Sequence, residues 1–268
     1  MIATQAARRR AQPPAIGRAA HLVERNAILY RRNWMLIVSG FLEPLLYLLA
    51  IGFGVGALVG STITVNGRPV PYAVFVAPAM MASSAMNGAI YETAFNFFFK
   101  LKYVKLYDAV LATPLGVADV ALGEIAWALV RGTLYAAGFI IVMAALGLVR
   151  SWWALLAVPA AMLLGFTFAA IGTAAATFVR TWQDFDLVLI VMIPLFLFSA
   201  TFYPITLYPA PLQAVVQLSP LYHGVNILRS LTTGSIGPSL VFDLVYLVLL
   251  GAAGLAVAAT RLERMLLK

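Results

Sequence analysis

The sequence predicts an all-α polytopic membrane protein, with six transmembrane helices, an N-terminal amphipathic interfacial helix and re-entrant segments between spans 5 and 6. Three observations carry that expectation. Hydrophobic residues make up 63% of the chain and charged residues only 10%, against about half and a quarter in soluble domains. Apolar runs recur at lengths that can cross a bilayer, which takes about 20 residues. Arginine and lysine gather in the segments that fall on one side of such a topology.

Composition also excludes several chemistries. The chain has no cysteine, so disulfides, thiolate metal sites and thiol catalysis are out. The two histidines, His21 and His223, are too far apart in sequence to suggest a metal cluster. A net charge of +8 fits inner-side loops better than nucleic acid binding. The first apolar run starts near Met35 and is long enough to span, unlike a cleaved signal. Arg8, Arg9 and Arg10, followed by Pro13 and Pro14, read as a disordered basic tail. The expected organisation is thus a tail over 1–17, an interfacial helix over 18–34 and a membrane domain over 35–268.

In the interfacial segment, Ala19, Val23, Ala27, Tyr30 and Trp34 fall on one helical face, and Arg18, His21, Arg25 and Arg32 on the other. That pattern suits a helix lying in the inner interface. The candidate spans are 35–59, 72–99, 121–149, 153–179, 187–202 and 240–259. They are continuous rather than alternating, which argues against barrel strands. Fourteen basic residues then lie on one side and Arg68, Arg150 and Arg229 on the other, so both termini are expected in the cytoplasm. Trp34 and Trp182 mark the inner interface, Trp152 and Trp153 the outer one.

The fifth run is short. About 16 residues at about 1.5 Å each give roughly 24 Å, less than a core of about 30 Å. It contains Pro194 and ends in Phe202-Tyr203-Pro204. The stretch 205–233 stays apolar but is broken by Pro209, Pro211, Pro220 and Gly224. It reads as segments that enter the outer leaflet without crossing, or as an ordinary external loop.

Ionisable residues inside the runs are costly, so their depth matters. Counting about 20 residues inward from each outer end puts Glu43, Glu92 and Arg131 at one level near the inner face. Glu124 lies two turns closer to the cytosol, on nearly the same face as Arg131. The expected result is an ion-pair cluster joining the first three spans, either a packing network or an inner gate or headgroup contact. The loop 100–115 begins with Lys100, Lys102 and Lys105 and has a helical pattern until Pro114. Its Leu106, Val110 and Leu111 form an apolar stripe, with Tyr107 and Asp108 facing partly elsewhere. The stripe fits a soluble partner's groove, or else a layer of lipid headgroups.

Four segments resemble the ABC-2 type permeases, closest to the branch exporting nodulation lipo-oligosaccharides and drugs. They are Glu43-Pro44-Leu45-Leu46-Tyr47 with Gly52-Phe53-Gly54, and Met86 with Tyr91-Glu92. The third is Tyr107-Asp108-Ala109-Val110-Leu111 with 122–127, and the fourth Phe202-Tyr203-Pro204 with 218–223 and Ile227-Leu228-Arg229. The resemblance implies a six-span subunit that pairs with a second permease, identical or related. It implies a coupling helix at 106–114, including Tyr107 and Asp108, that docks on an ABC-type ATPase, two per complex. It implies re-entrant segments at 205–233, where Tyr203, Pro204, Pro220, His223 and Arg229 stand out. ATP and magnesium would then belong to the partner, since this chain has no G-x-x-x-x-G-K-[ST] loop. The cargo would be amphiphilic or lipid-linked: a lipid, glycolipid, lipo-oligosaccharide or drug. The alternatives are a secondary transporter, which should show inverted repeats and midplane acids, and a membrane scaffold.

Overall fold

A computed structural model describes residues 15–32, 35–58, 62–65 and 68–266. The basic tail up to residue 14, Trp34 and Gly60 lie outside the described residues. Helix α1 (Ala15–Arg32) precedes α2 (Met35–Tyr47), which continues through a wider π turn, Leu48–Val55, to Gly56–Leu58. A small antiparallel hairpin comes next, β1 (Thr62–Val65) and β2 (Arg68–Pro71), in the register Thr62 to Pro71 and Val65 to Arg68. It leads into α3 (Tyr72–Lys102), α4 (Leu106–Leu111), α5 (Val117–Ala145) and α6 (Trp152–Ala176). The chain ends with α7 (Phe185–Phe198), α8 (Ala210–Gln217), α9 (Pro220–Thr233) and α10 (Ser239–Leu266).

Among the described residues, four helices are long and apolar enough to cross a membrane: α3, α5, α6 and α10. Helix α7 has 14 residues and keeps Pro194 inside it, so it is short, as its sequence predicts. The bundle is built around α3, whose apolar window is 94% buried. It packs against α2, α5, α6 and α9. Helix α10 is the opposite case: only 17% of its apolar window is buried, and Val241, Phe242, Val245, Val248 and Leu249 are exposed. Leu187, Ile190, Val191 and Ile193 of α7 are exposed as well. Soluble proteins rarely show apolar patches on this scale, so lipid or a partner subunit is the natural cover.

The interfacial helix is docked on the bundle. Ala19, Leu22 and Asn26 are buried, Val23 and Tyr30 are half-buried, and Ala27 is exposed. The inward stripe therefore runs through Leu22 and Asn26 rather than through Ala27. Asn26 is tolerated on that stripe because Glu124 on α5 accepts from its Nδ2, which a hydrophobic wheel does not register. Gly123 allows the close approach: a Cβ there would meet the Leu22 side chain at 2.8 Å and the Ala19 carbonyl at 3.2 Å. His21 and Arg32 stay exposed, and His21 sits 3.7 Å from Glu24. Arg25 is only half-exposed, with one Nη buried.

Helix α9 is not a loose outer loop. Leu221, Val225, Ile227 and Leu228 are buried, against α3, α6 and α10. Ser219 caps it by accepting from the Tyr222 N–H at 3.3 Å, and Pro220 occupies its first turn, where the missing N–H has no role. Trp152 and Trp153, in the turn opening α6, are exposed, as interfacial anchors should be. Trp182 is exposed too.

Candidate functional site

A buried polar network links α1, α3, α4 and α5. Glu92 and Glu124 are both completely buried. Glu92 accepts from the Tyr30 hydroxyl at 2.7 Å, Asn96 Nδ2 at 2.8 Å and Lys100 Nζ at 3.3 Å. It also receives Arg131 Nη1. Glu124 accepts from Lys100 Nζ at 2.6 Å, the Tyr107 hydroxyl at 3.0 Å and Asn26 Nδ2 at 3.4 Å. Arg131 also donates to the Tyr30 hydroxyl at 2.9 Å and the Tyr135 hydroxyl at 2.8 Å. Its guanidinium carbon lies 4.7 Å from the centre of the Tyr30 ring.

Two carboxylates meet two cations, so the cluster is neutral as a whole. That is the arrangement in which buried charge is tolerable, because each charge has an opposite partner, although Arg131 Nε and Asn26 Oδ1 are buried without a hydrogen bond. Outside the spans, burial raises the Tyr30 phenol above its ordinary value, and Glu92 adds to the effect. Burial likewise raises Tyr107, and Glu124 raises it further. Both phenols therefore stay protonated and act as donors.

Sequence position alone misplaces one member and misses several. Glu43 is not part of this cluster; it is exposed and lines a separate cavity beside Tyr91 and Asn87. Counting residues gives depth but not which side of a helix a residue faces. Tyr91 and Glu92 point to different sides of α3, and Glu43 stands on the Tyr91 side. Lys100 reads as a loop charge in the sequence, yet its ammonium reaches back between the two carboxylates. The wide π turn Tyr91–Asn96 rotates the last part of α3 relative to a straight helix, and such turns often mark functional sites. Tyr30 falls on the apolar face of its helix and Tyr107 in the expected coupling helix, but nothing in the sequence joins them or Asn26 to the carboxylates.

Tyr107 fixes the loop helix. Its ring packs against Phe97, with centroids 5.0 Å apart, and it is fully buried. Val110 and Leu111 lie at i+3 and i+4 and so share its inward face. With Leu106, they are half-buried and pack on the chain's own core. The expected free apolar stripe is therefore largely committed inside the protein. The outward surface is Asp108, Ala109, Ala112, Thr113 and Pro114, with Tyr103, Val104 and Lys105 beside it. Lys105 takes a left-handed conformation, φ 49°, which turns the chain sharply into α4.

The cavity beside Glu43 measures about 600 Å³, within the range of small-molecule sites. It runs between α2, α3 and α7. Ile51, Met80, Leu189, Met192 and Phe196 make its walls mostly apolar, and Ser83, Asn87 and Tyr91 add a polar stripe at four-residue spacing on α3.

At the other end of the bundle, His223 is buried with Nδ1 2.5 Å from Asp243 and Nε2 2.8 Å from the Gln217 carbonyl. Asp243, an acid at the start of the last apolar run, escapes a depth count limited to the first three spans. Arg229 is buried and bonds the carbonyls of Phe75 and Ala200. Tyr203 stacks on Tyr208 at 4.6 Å, and Pro204 leads into the turn Ile205–Leu207. The side chain of Arg18 lies outside the described residues.

Comparison with known proteins gives one consistent result. The ABC-2 type transporter family matches residues 19–232. The chain is 33% identical over 213 residues to nodulation protein J of Rhizobium leguminosarum bv. trifolii, covering 78% of this chain and 79% of that protein. It is 30% identical over 217 residues to nodulation protein J of Rhizobium meliloti, covering 77% and 80%. Nodulation protein J of Neorhizobium galegae matches at 27% over 250 residues, 88% of this chain and 93% of that protein.

Proposed function

The chain belongs to the ABC-2 type transporter family, and on that premise we propose that it is the membrane subunit of an exporter powered by a separate ABC-type ATPase. The protein itself is a multi-pass transport component. The reading adds α2 and α7 to the four long helices to make six spans. It makes α8 and α9 re-entrant, and puts both termini on the cytoplasmic side of the inner membrane. Two ATPase subunits would bind ATP and magnesium, and a second permease, identical or related, would complete the pathway.

The observation that carries this reading is the buried path from Tyr107 through Glu124, Lys100 and Glu92 to Arg131. A short surface helix with one fully buried tyrosine wired into three other helices is suited to take up a push and pass it inward. Closure of the ATPase would bias the permease between inward- and outward-facing states through differential contact with α4, the only way a partner can shift such an equilibrium. The cavity between α2, α3 and α7 supports an amphiphilic cargo, since its apolar walls suit acyl or aromatic groups and its polar stripe suits a hydroxyl-bearing head. Within that class, the resemblance of the sequence to nodulation-signal exporters favours a lipo-oligosaccharide.

The test uses the absence of cysteine. A cysteine at Ala109, on the outward side of α4, should cross-link to the ATPase in the assembled complex. One at Ala144, exposed at the far end of α5, should not. Equal labelling of both, or none at Ala109, would overturn the docking assignment.

A further inference from the structure

Among the described residues, Arg229 is a buried cation without a counter-ion. Only 7% of it is exposed. Nε donates to the Phe75 carbonyl at 3.2 Å, Nη2 donates to the Ala200 carbonyl at 2.9 Å, and the guanidinium carbon lies 3.8 Å from the centre of the Phe75 ring. All three partners are neutral. Asp243, on the adjoining last span, is taken by His223. No acid forms an ion pair with Arg229 among the described residues. Buried charge is normally paired, because desolvation is otherwise uncompensated. Two of the five guanidinium N–H groups are used, which leaves three donors.

The same side chain lines a cavity of about 200 Å³, roughly the room of six waters at about 30 Å³ each. Its polar lining is Thr206, Tyr222, Asn226, Ser230, Thr233 and Ser235, all hydroxyl or amide groups and none of them acidic, beside the apolar Phe75, Ala200, Pro204 and Ile205. Phe75 is three residues from the end of α3, about 5 Å along the helix. The adjoining turn shows exposed Trp152 and Trp153, and Arg150 N–H bonds the Thr232 carbonyl at 2.9 Å. Tryptophans of this kind sit at headgroup depth.

We propose that this cavity binds a phosphate-class oxyanion, either the phosphate ester of a lipid headgroup or free phosphate, with Arg229 as its counter-charge. Arginine's planar fork matches such oxyanions, and the Asn226 amide and the Thr206, Tyr222, Ser230 and Ser235 hydroxyls can donate to the remaining oxygens, while the Thr233 hydroxyl donates to the Arg229 carbonyl. The site lies about 25 Å along α3 from Glu92 (17 residues), so it is independent of the ATPase-facing network and does not rest on the proposed cargo.

The experiment follows the thermal midpoint of the purified, delipidated full chain in a neutral sugar detergent. Inorganic phosphate is titrated against chloride at constant ionic strength. In parallel, phosphatidylglycerol is compared with a phosphate-free glycolipid. A saturable rise with phosphatidylglycerol but not with glycolipid is expected. A rise with inorganic phosphate as well identifies free phosphate as a second source. Arg229→Gln should abolish the response. Asn226→Ala, which leaves the buried charge in place, should shift the half-saturating concentration upward about fivefold, the loss of one hydrogen bond. If Arg229→Gln does not fold, Asn226→Ala and the wild-type comparison still decide. Indifference of the wild type to both phosphate and phosphatidylglycerol overturns the proposal. So does an unchanged response in Asn226→Ala.

Discussion

Replacing Glu92 with glutamine should damage the fold more than replacing Arg131 with methionine, and making both changes together should cost less than their sum. The asymmetry comes from the contacts. Glu92 is completely buried and takes four donors: Tyr30, Asn96, Lys100 and Arg131. Glutamine removes the charge and strands Arg131, whose other partners are the neutral hydroxyls of Tyr30 and Tyr135. Lys100 keeps Glu124 at 2.6 Å. Breaking a buried pair from one side costs about 3–5 kcal/mol, and Glu92→Gln should fall in that range. Arg131→Met leaves Glu92 with three donors, so its cost should be nearer about 2 kcal/mol, the worth of one charge-assisted hydrogen bond. In the double variant no stranded charge remains, and a coupling of about 2 kcal/mol is expected. Unfolding by sodium dodecyl sulfate in mixed micelles, with all four proteins in one lipid and detergent mixture, measures the cycle. Additive losses would show that the two residues do not stabilise one another.

Four further outcomes rest on the same geometry. Tyr107→Phe keeps the ring packing on Phe97 but removes the hydroxyl that Glu124 accepts at 3.0 Å. It should cost about 2 kcal/mol of stability and lower export per ATP hydrolysed while the ATPase stays bound, as co-purification and transport assays on one preparation would show. Asp108→Arg and Ala109→Arg change only the exposed side of α4, so they should detach the ATPase without lowering the yield of folded permease. Val110→Asp puts a charge on the inward-packed side and should lower that yield. Gly123→Val would drive a Cβ into Leu22 at 2.8 Å and the Ala19 carbonyl at 3.2 Å. It should lift α1 off α5, seen as faster proteolysis near Arg25.

The membrane class and the long helices were legible because chain length in apolar residues maps directly onto bilayer thickness. The levels of Glu92, Glu124 and Arg131 were legible for the same reason, since rise per residue is constant. Angular position was not legible. Glu43 shares their depth but faces the cavity by Tyr91, and the π turn at Tyr91–Asn96 shifts every later residue of α3 by an amount the pattern does not announce. Lys100 illustrates a second limit, because a flexible four-carbon stem lets a lysine at a loop edge place its charge well inside the bundle. The loop helix shows a third: an apolar stripe says that something covers it, not whether the cover is a partner or the chain itself. The hairpin at Thr62–Val65 and Arg68–Pro71 had a usable signal, the Asn66-Gly67 pair between alternating residues.

If the proposed function holds, this chain moves cargo only when a separate ATPase drives it. The direct measurement reconstitutes the full chain in proteoliposomes, alone and with the ATPase that co-purifies with it, and tracks a fluorescent lipo-oligosaccharide across the bilayer. Movement should require the ATPase, ATP and magnesium together, and Ala109→Arg should abolish it. Movement by the chain alone down an imposed proton or sodium gradient, unaffected by ATP, would contradict the proposal.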